Sequence, residues 1–184
     1  MMKVLILNGS PRMKGNTKAA LSAVADGIRE GLKPEELEIY DVSKHKLSAC
    51  LACDGCKRNG GTCVQPDDTA ELIQKIYDAD ILVFGTPVYF WGMSAQLKMV
   101  VDKLYSRDGA LKKLDKKVGL VTIGAAALDD PEYKLIEDQM VCICDHFGWK
   151  LTFSYQVSAW EAGELEADEE KMSVFRGAWE SMEE

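Results

Sequence analysis

The 184-residue sequence predicts an α/β protein built on a five-stranded parallel β-sheet with helices on both faces. Two observations carry this prediction. Short, strongly apolar segments, typical of strands buried on both faces, alternate with segments whose apolar residues recur at helical spacing. This strand–helix unit is repeated five times, and right-handed crossovers between parallel strands then favour the spatial order 2-1-3-4-5.

The pattern within each strand predicts its place in the sheet. The first strand contains the apolar run 4–7, and the segments 81–84 and 118–123 are also mostly apolar, so we expect these three strands at the centre. Residues 36–42 and 151–157 alternate between apolar and polar side chains. Alternation buries only one face of a strand, and these two strands are therefore expected at the edges.

Helical spacing of apolar residues fills the intervals between the predicted strands. After the first strand, apolar residues recur from Ala20 to Leu32, and further helices are expected at about 68–78, 95–106 and 131–146. The last of these begins with Asp130-Pro131, a capping residue followed by proline in the first turn.

The C-terminal segment is rich in acidic residues. Its apolar residues nevertheless recur at helical spacing, which predicts an amphipathic helix around 166–182 that packs on the sheet; they are Met172, Phe175, Trp179 and Met182. A partly disordered acidic tail is the alternative interpretation.

Composition and charge narrow the class of protein. The hydrophobic content of 47% and the charged content of 28% are ordinary for a globular protein. A net charge of −8 without a basic stripe argues against nucleic acid as a partner. We expect no membrane partner and a cytoplasmic location, because no apolar run approaches spanning length and no export signal is recognisable. Six cysteines in such a chain suggest reduced thiols or metal ligands rather than disulfides.

The loop 8–17 joins the first strand to the first helix and carries two cations and no acid. Such a loop points backbone N–H groups and the positive helix end at one place, where Ser10 and Thr17 add hydroxyl donors; this predicts a phosphate site. The loop lacks the lysine of the G-x-x-x-x-G-K-[ST] motif, the spacing of G-x-G-x-x-G and a cysteine nucleophile. We therefore expect it to bind a phosphate without reacting with it. An ordinary strand-to-helix turn is the alternative.

Two further loops are expected at the same edge of the sheet, where ligands bind in this strand order. The loop 85–94 contains three consecutive aromatic residues, 89–91, which is unusual because loops are normally polar. Small neighbours leave room for a flat ring, and aromatic side chains can pack against it. The small residues 124–127 would let backbone approach the same ring. An aromatic cluster that closes the core or forms a dimer interface is the alternative.

These loops carry a resemblance to a known family. Asn8-Gly9-Ser10-Pro11-Arg12 with Gly15-Asn16-Thr17 resembles the phosphate loop of the NAD(P)H-dependent FMN reductase group in the flavodoxin-like superfamily. Thr86-Pro87-Val88-Tyr89-Phe90 resembles its isoalloxazine loop, and Gln96-Leu97-Lys98 with Asp102 resembles the following helix, although Lys103 replaces the usual arginine. The resemblance covers roughly the first 105 residues.

The resemblance implies a flavodoxin-like three-layer sandwich that binds FMN and takes electrons from NAD(P)H. It implies that the phosphate is bound by Ser10, Arg12, Asn16 and Thr17, where Arg12 offers a bidentate fork. The full set of implied cofactor-binding residues is Ser10, Arg12, Gly15, Asn16, Thr17, Pro87, Val88, Tyr89, Phe90, Trp91, Gly92 and Gly124.

Four cysteines lie between the second strand and the second helix with the spacing C-x2-C-x2-C-x6-C: Cys50, Cys53, Cys56 and Cys63. Closely spaced thiolates can wrap three corners of a cubane, and the loop resembles that of iron–sulfur flavoproteins, relatives of the FMN reductases. A [4Fe–4S] cluster beside the flavin, plain thiols and zinc on four thiolates are all left open. Cys142 and Cys144 lie on different faces of a predicted helix and are expected to be ordinary side chains.

The sequence therefore predicts an FMN-dependent NAD(P)H oxidoreductase that passes electrons to a quinone, a flavin, another small acceptor or a redox protein. The cofactor supplies the chemistry, so no catalytic side chain is expected, and neither His45 nor His146 is assigned a role. An iron–sulfur flavoprotein acting as an electron carrier and a non-catalytic flavin-binding module are the alternatives. Residues 1–184 are expected to form a single flavodoxin-like FMN-binding domain, and a homodimer or higher homo-oligomer is implied by the resemblance.

Overall fold

Five parallel strands form the central sheet of the computed structural model, which describes residues 1–183. The predicted order is confirmed: the second strand in the chain lies at one edge and the last at the other. A short strand that the sequence pattern missed pairs antiparallel with the third. The strands are β1 (Lys3–Asn8), β2 (Glu36–Asp41), β3 (Ile81–Tyr89), β4 (Gly92–Met93), β5 (Lys117–Gly124) and β6 (Lys150–Ser158), and the spatial order is β2-β1-β3-β5-β6.

Helices cover both faces of the sheet, which makes the predicted three layers. They are α1 (Asn16–Gly31), α2 (Gly55–Arg58), α3 (Thr69–Asp78), α4 (Ala95–Lys103), α5 (Asp108–Leu111), α6 (Pro131–Phe147) and α7 (Glu169–Arg176). Helices α1 and α7 pack on one face, and α3, α4 and α6 pack on the other. None of the helices between residues 1 and 183 has the length and apolarity needed to cross a bilayer.

The alternation of side chains in β1 explains why two separate cores form. Val4 and Ile6 point to the α1 face, whereas Leu5 and Leu7 point to the α3 and α4 face, and all four are at most 3% exposed. Burying each such side chain is worth about 1.5–3 kcal/mol. A strand that is apolar on both sides has to lie between two helical layers, so β1 is an interior strand. Its carboxyl end is flanked by the ends of β2 and β3.

The C-terminal segment packs on α1, although its helix is shorter than the predicted 166–182. Helix α7 begins after Asp168, whose carboxylate accepts a hydrogen bond of 3.1 Å from the backbone N–H of Lys171. The chain then continues as a 3₁₀ helix over Gly177–Met182. Glycines on α1 leave room for this segment, since a Cβ at Gly27 would collide with the carbonyl of Arg176.

Candidate functional site

Helix α1 begins at the carboxyl edge of the sheet, and its N-terminus is not capped by a side chain. The capping residue is Gly15, no side chain accepts a hydrogen bond from this end, and the first turn contains no acid. The hydroxyl-bearing Ser10 and Thr17 are only 2% and 3% exposed beside it, while Arg12 lies at the surface. First-turn N–H groups and the helix dipole, together with these donors, give this end the hydrogen-bond donors and positive charge that an anion needs.

Close contacts to β3 and α4 fix the start of this loop at Gly9. The Gly9 N–H donates to the carbonyl of Gly85 at 2.8 Å, and the Ser94 hydroxyl donates to the carbonyl of Gly9 at 2.6 Å. A Cβ at Gly9 would lie 2.7 Å from the Cβ of Leu97, closer than real carbon atoms approach. Only glycine fits, so this position is set by the packing of α4 rather than by the ligand.

Asp41 at the end of β2 supports the same loop from the other side. Its carboxylate accepts hydrogen bonds from Asn8 at 3.0 Å and from Lys18 at 2.7 Å, and it pairs with Lys44 at 2.9 Å. Burial alone would raise the pKa of Asp41, but these three donors outweigh it and lower the pKa to about 2. The side-chain oxygen of Asn8 in turn accepts from the N–H of Ser10 at 3.1 Å.

The open end of α1 faces a cleft of about 310 Å³ at the carboxyl ends of β1, β3 and β5. Three chain segments predicted from sequence to converge on one ligand do converge here. The predicted site residues that line the cleft are Ser10, Arg12, Gly15, Asn16, Thr17, Pro87, Val88, Tyr89 and Gly124. Two other cavities are larger, with about 610 Å³ along β6 and about 690 Å³ at the opposite edge of the sheet. No residue of the 8–17 loop lines either of them.

Phe90, Trp91 and Gly92 are absent from the cleft lining within residues 1–183. Phe90 and Trp91 instead form the two-residue turn of the β3–β4 hairpin, with φ angles of 46° and 58°. Two adjacent positive φ angles suit Asn-Gly and are strained for aromatic residues. Phe90 is 95% exposed and Trp91 is 55% exposed, so this turn projects into solvent.

Sequence reasoning missed the segment that follows β6. Ala159, Trp160 and Ala162 line the cleft beside the predicted residues. This segment is tied to Asn16, whose side-chain N–H₂ donates to the carbonyl of Glu161 at 2.9 Å and whose oxygen accepts from the N–H of Leu165 at 3.3 Å. The Asn16 side chain is thus engaged with the protein, and its contribution to a bound anion falls to its backbone N–H.

The floor of the cleft at Gly124 is shaped by the start of α6. A Cβ at Gly124 would lie 2.6 Å from the hydroxyl of Tyr133, which donates to the carbonyl of Ala126 at 2.9 Å. Burial raises the pKa of Tyr133. Gly124 therefore lets the loop after β5 close over α6.

The four cysteines of the 50–63 loop share one small pocket, which they line with residues at the end of α4. Cys50 and Cys53 are exposed, whereas Cys56 and Cys63 are partly buried. None of the six cysteines forms a disulfide, and residues 1–183 contain no group of three or more His, Cys, Asp or Glu side chains arranged to hold a metal. This pocket and the cleft share no lining residue.

Lys103 anchors the cysteine loop from α4. Lys103 is only 3% exposed, and its ammonium donates hydrogen bonds to Gln65 at 2.7 Å and to Thr69 at 3.0 Å. The same ammonium lies 3.5 Å from the carboxylate of Asp67 and 3.6 Å from the sulfur of Cys63. Burial tends to raise the pKa of Asp67, but its hydrogen bonds and this lysine lower it overall. The lysine that replaces the usual arginine thus forms a buried ion pair with Asp67, which follows the loop.

The fold and the cleft define a class: flavodoxin-like α/β proteins with a cleft at the carboxyl edge of the sheet. The chain belongs to the NADPH-dependent FMN reductase family, whose model matches residues 2–182. It is 38% identical over 129 residues to an iron–sulfur flavoprotein of Methanocaldococcus jannaschii, a match that covers 68% of this chain and 63% of that protein. A putative NAD(P)H-dependent FMN-containing oxidoreductase of Bacillus subtilis is 29% identical over 102 residues, which cover 55% of this chain and 51% of that one.

Solved structures show the same fold. An NAD(P)H:quinone oxidoreductase from Methanothermobacter marburgensis superposes with a TM-score of 0.74 at 20% identity, covering 100% of this chain and 98% of that one. An azoreductase from Bacillus anthracis gives 0.73 at 17% identity, with 100% of both chains covered. At such identities the likeness concerns the fold alone. The sequence matches span about half to two thirds of the length of the curated relatives named above.

Proposed function

We propose that this chain is an FMN-dependent NAD(P)H oxidoreductase that delivers electrons to a small acceptor such as a quinone or a flavin. One observation carries the proposal: the uncapped N-terminus of α1 opens into a cleft that also receives the loops after β3 and β5. In a parallel sheet of this order that position is where a phosphorylated, ring-bearing ligand fits.

The residues present fit FMN at both ends of the cleft. At the phosphate end, the hydroxyls of Ser10 and Thr17, the first-turn N–H groups of α1 and the guanidinium of Arg12 supply donors and positive charge. At the ring end, Pro87, Val88 and Tyr89 offer an apolar face, and Gly124 lines the cleft beside them without a side chain. When bound, FMN supplies the redox chemistry, which explains why the cleft needs no nucleophile or acid–base pair.

The remaining features of the proposal concern the whole molecule. The chain forms a single flavodoxin-like FMN-binding domain, works in the cytoplasm and pairs as a homodimer or higher homo-oligomer. The exposed Phe90–Trp91 turn supports self-association, since two large aromatic side chains project into solvent beside each other.

A second function, electron transfer through an iron–sulfur cluster, is favoured by the cysteine loop. Cys50, Cys53, Cys56 and Cys63 line one pocket, and several relatives bear the name iron–sulfur flavoprotein. In that case the four thiolates would hold a [4Fe–4S] cluster and the protein would pass single electrons to a redox partner. Iron and acid-labile sulfide analysis of protein purified without oxygen decides it: about four of each per chain support the cluster, and values at background leave a simple reductase.

Anaerobic mixing of the FMN-loaded protein with NADPH or NADH tests the main proposal. Rapid loss of the visible flavin absorbance, followed by its return when a quinone is added, is the expected result. A flavin that stays oxidised with both nicotinamides would leave a carrier or a non-catalytic flavin-binding module.

A further inference from the structure

We propose that Trp160 is a ring-binding residue of the cleft, and that Glu164 and Asn16 are positioning residues that hold its backbone in place. The inference rests on the proposed FMN site and adds to it a wall that comes from the C-terminal third of the chain. It concerns the ring end of the ligand, whereas the loop 8–17 concerns the phosphate.

The first observation is the place and exposure of the indole. Among the residues that line the cleft, the aromatic ones are Tyr89 and Trp160, and they come from different segments, the end of β3 and the connection after β6. Trp160 is 72% exposed and Tyr89 is 40% exposed. Large apolar surface left open at the rim of a cleft is typical of a site that a flat apolar ligand covers.

The second observation is how firmly the backbone on both sides of Trp160 is held. Before it, the N–H of Ala159 donates to the carbonyl of Gly124 at 2.9 Å. At and after it, the carboxylate of Glu164 accepts from the N–H groups of Trp160 at 2.7 Å and of Glu161 at 3.0 Å. Leu165, 1% exposed, then anchors the segment in the core. Because the backbone at Trp160 is held in place, its exposed side chain is preorganised for a ligand. Preorganisation lowers the entropy cost of binding a ring.

The third observation is that Asn16 links the two ends of the cleft. Asn16 is the first residue of α1, beside the proposed phosphate site, and its side chain bonds to the backbone at both Glu161 and Leu165. The helix end that meets the phosphate therefore also fixes the segment that carries Trp160. Such an arrangement suits a ligand in which a phosphate and a flat aromatic ring are held at a fixed distance.

Equilibrium titration of the full-length protein with FMN and with riboflavin, followed by flavin fluorescence, tests the proposal. Both ligands contain the ring, and only FMN contains the phosphate. Trp160→Ala should raise the dissociation constants of both ligands by the same factor, about tenfold. Trp160→Phe keeps an aromatic ring and should recover most of the affinity. Because the side chain is largely exposed, both variants should unfold at the wild-type temperature.

Glu164→Ala tests the positioning role through a double-mutant cycle with Trp160→Ala. On its own, this substitution should raise the dissociation constants of both flavins about threefold, because the backbone that carries the indole is then held less firmly. In the Trp160→Ala background it should add nothing, because there is no indole left to position. An undiminished effect in that background would contradict the role of Glu164.

The outcomes separate this inference from the function on which it rests. If wild-type protein binds FMN and Trp160→Ala binds both flavins with unchanged affinity, Trp160 is not a ring contact and the proposed function stands. If wild-type protein binds no FMN, the proposed function itself fails and the inference fails with it.

Discussion

Two loops follow neighbouring strands of the same sheet and are held in contrasting ways. The 8–17 loop after β1 is fixed by backbone contacts and by a glycine that cannot be replaced without a clash. The 50–63 loop after β2 lies largely at the surface, where its residues Asp54 and Lys57 hydrogen-bond to Tyr105. Its contact with a buried cation is Cys63, whose sulfur lies 3.6 Å from the ammonium of Lys103. Fixed backbone suits a rigid ligand group such as a phosphate, whereas a loop held by side chains at the surface can adjust the positions of its thiols.

The difference predicts where each loop is vulnerable. Added side-chain volume should destabilise the 8–17 loop, because its neighbours are backbone and core side chains that cannot move. Loss of charge should destabilise the region of the cysteine loop, because Lys103 pairs there with the buried carboxylate of Asp67. Four substitutions sharpen this contrast.

The largest effect is expected for Lys103→Met. The change leaves the carboxylate of Asp67, whose side chain is 1% exposed, buried without its cation. Breaking a buried pair on one side costs about 3–5 kcal/mol of unfolding free energy. Urea denaturation measures the loss, and Lys98→Met, which breaks the exposed pair with Asp102, serves as the control and should cost less than about 1 kcal/mol. Similar losses for both variants would show that Lys103 is not the anchor.

The second largest effect is expected for Gly9→Ala. Overpacking against Leu97 and the carbonyl of Gly85 should lower the free energy of unfolding by about 2–3 kcal/mol. FMN affinity should fall as well, since the loop has to shift. Gly109→Ala is the matched control: a Cβ there meets nothing within 4 Å, and its stability should stay at or above that of the wild type. Thermal unfolding of the two variants side by side decides whether volume is the cause.

Asp41→Asn should lower the free energy of unfolding by about 2 kcal/mol at pH values above about 4. The folded-state pKa of Asp41 is about 2, below its ordinary value of 3.8, so the ionised carboxylate stabilises the fold at pH values above about 4. That contribution is lost as the pH falls from about 4 towards 2. Stability curves of the wild type and the variant should therefore converge in acid, and a constant gap across this range would contradict the charge-based explanation.

The smallest effect is expected for Gly60→Ala in the cysteine loop. Gly60 has a φ of 60° and a Cβ there would meet nothing within 4 Å, so the cost is backbone strain alone, about 1 kcal/mol. The thiol reactivity of the loop toward a colorimetric reagent should be unchanged. A loss as large as that of Gly9→Ala would mean that the two loops are equally rigid.

Local patterns in the sequence were enough for the sheet and for the course of the 8–17 loop. Apolar runs and alternation gave five strands in the correct order, because burial on one face or two leaves a direct mark on the sequence. The 8–17 loop was recognised as a strand-to-helix connection because strand, glycine-rich turn and helix start are contiguous in the chain.

Features that depend on contacts between distant parts of the chain could not be predicted. Trp160 lines the cleft because Asn16 holds the segment near it, through a bond to Leu165 that is 149 residues away along the chain. The strained two-residue turn at Phe90 and Trp91 is local, but aromatic residues give no signal for it, and the role of these two residues at a ring stays a prediction. The cysteine spacing likewise does not determine where four sulfur atoms lie in space.

The central claim is that the end of α1 binds the phosphate of FMN, and isothermal titration calorimetry of the cofactor-free protein tests it most directly. We expect one FMN per chain, much weaker binding of riboflavin, and a loss of about tenfold in FMN affinity in Arg12→Ala with riboflavin binding unchanged. Equal affinity for FMN and riboflavin, with no effect of Arg12→Ala on either, would contradict it.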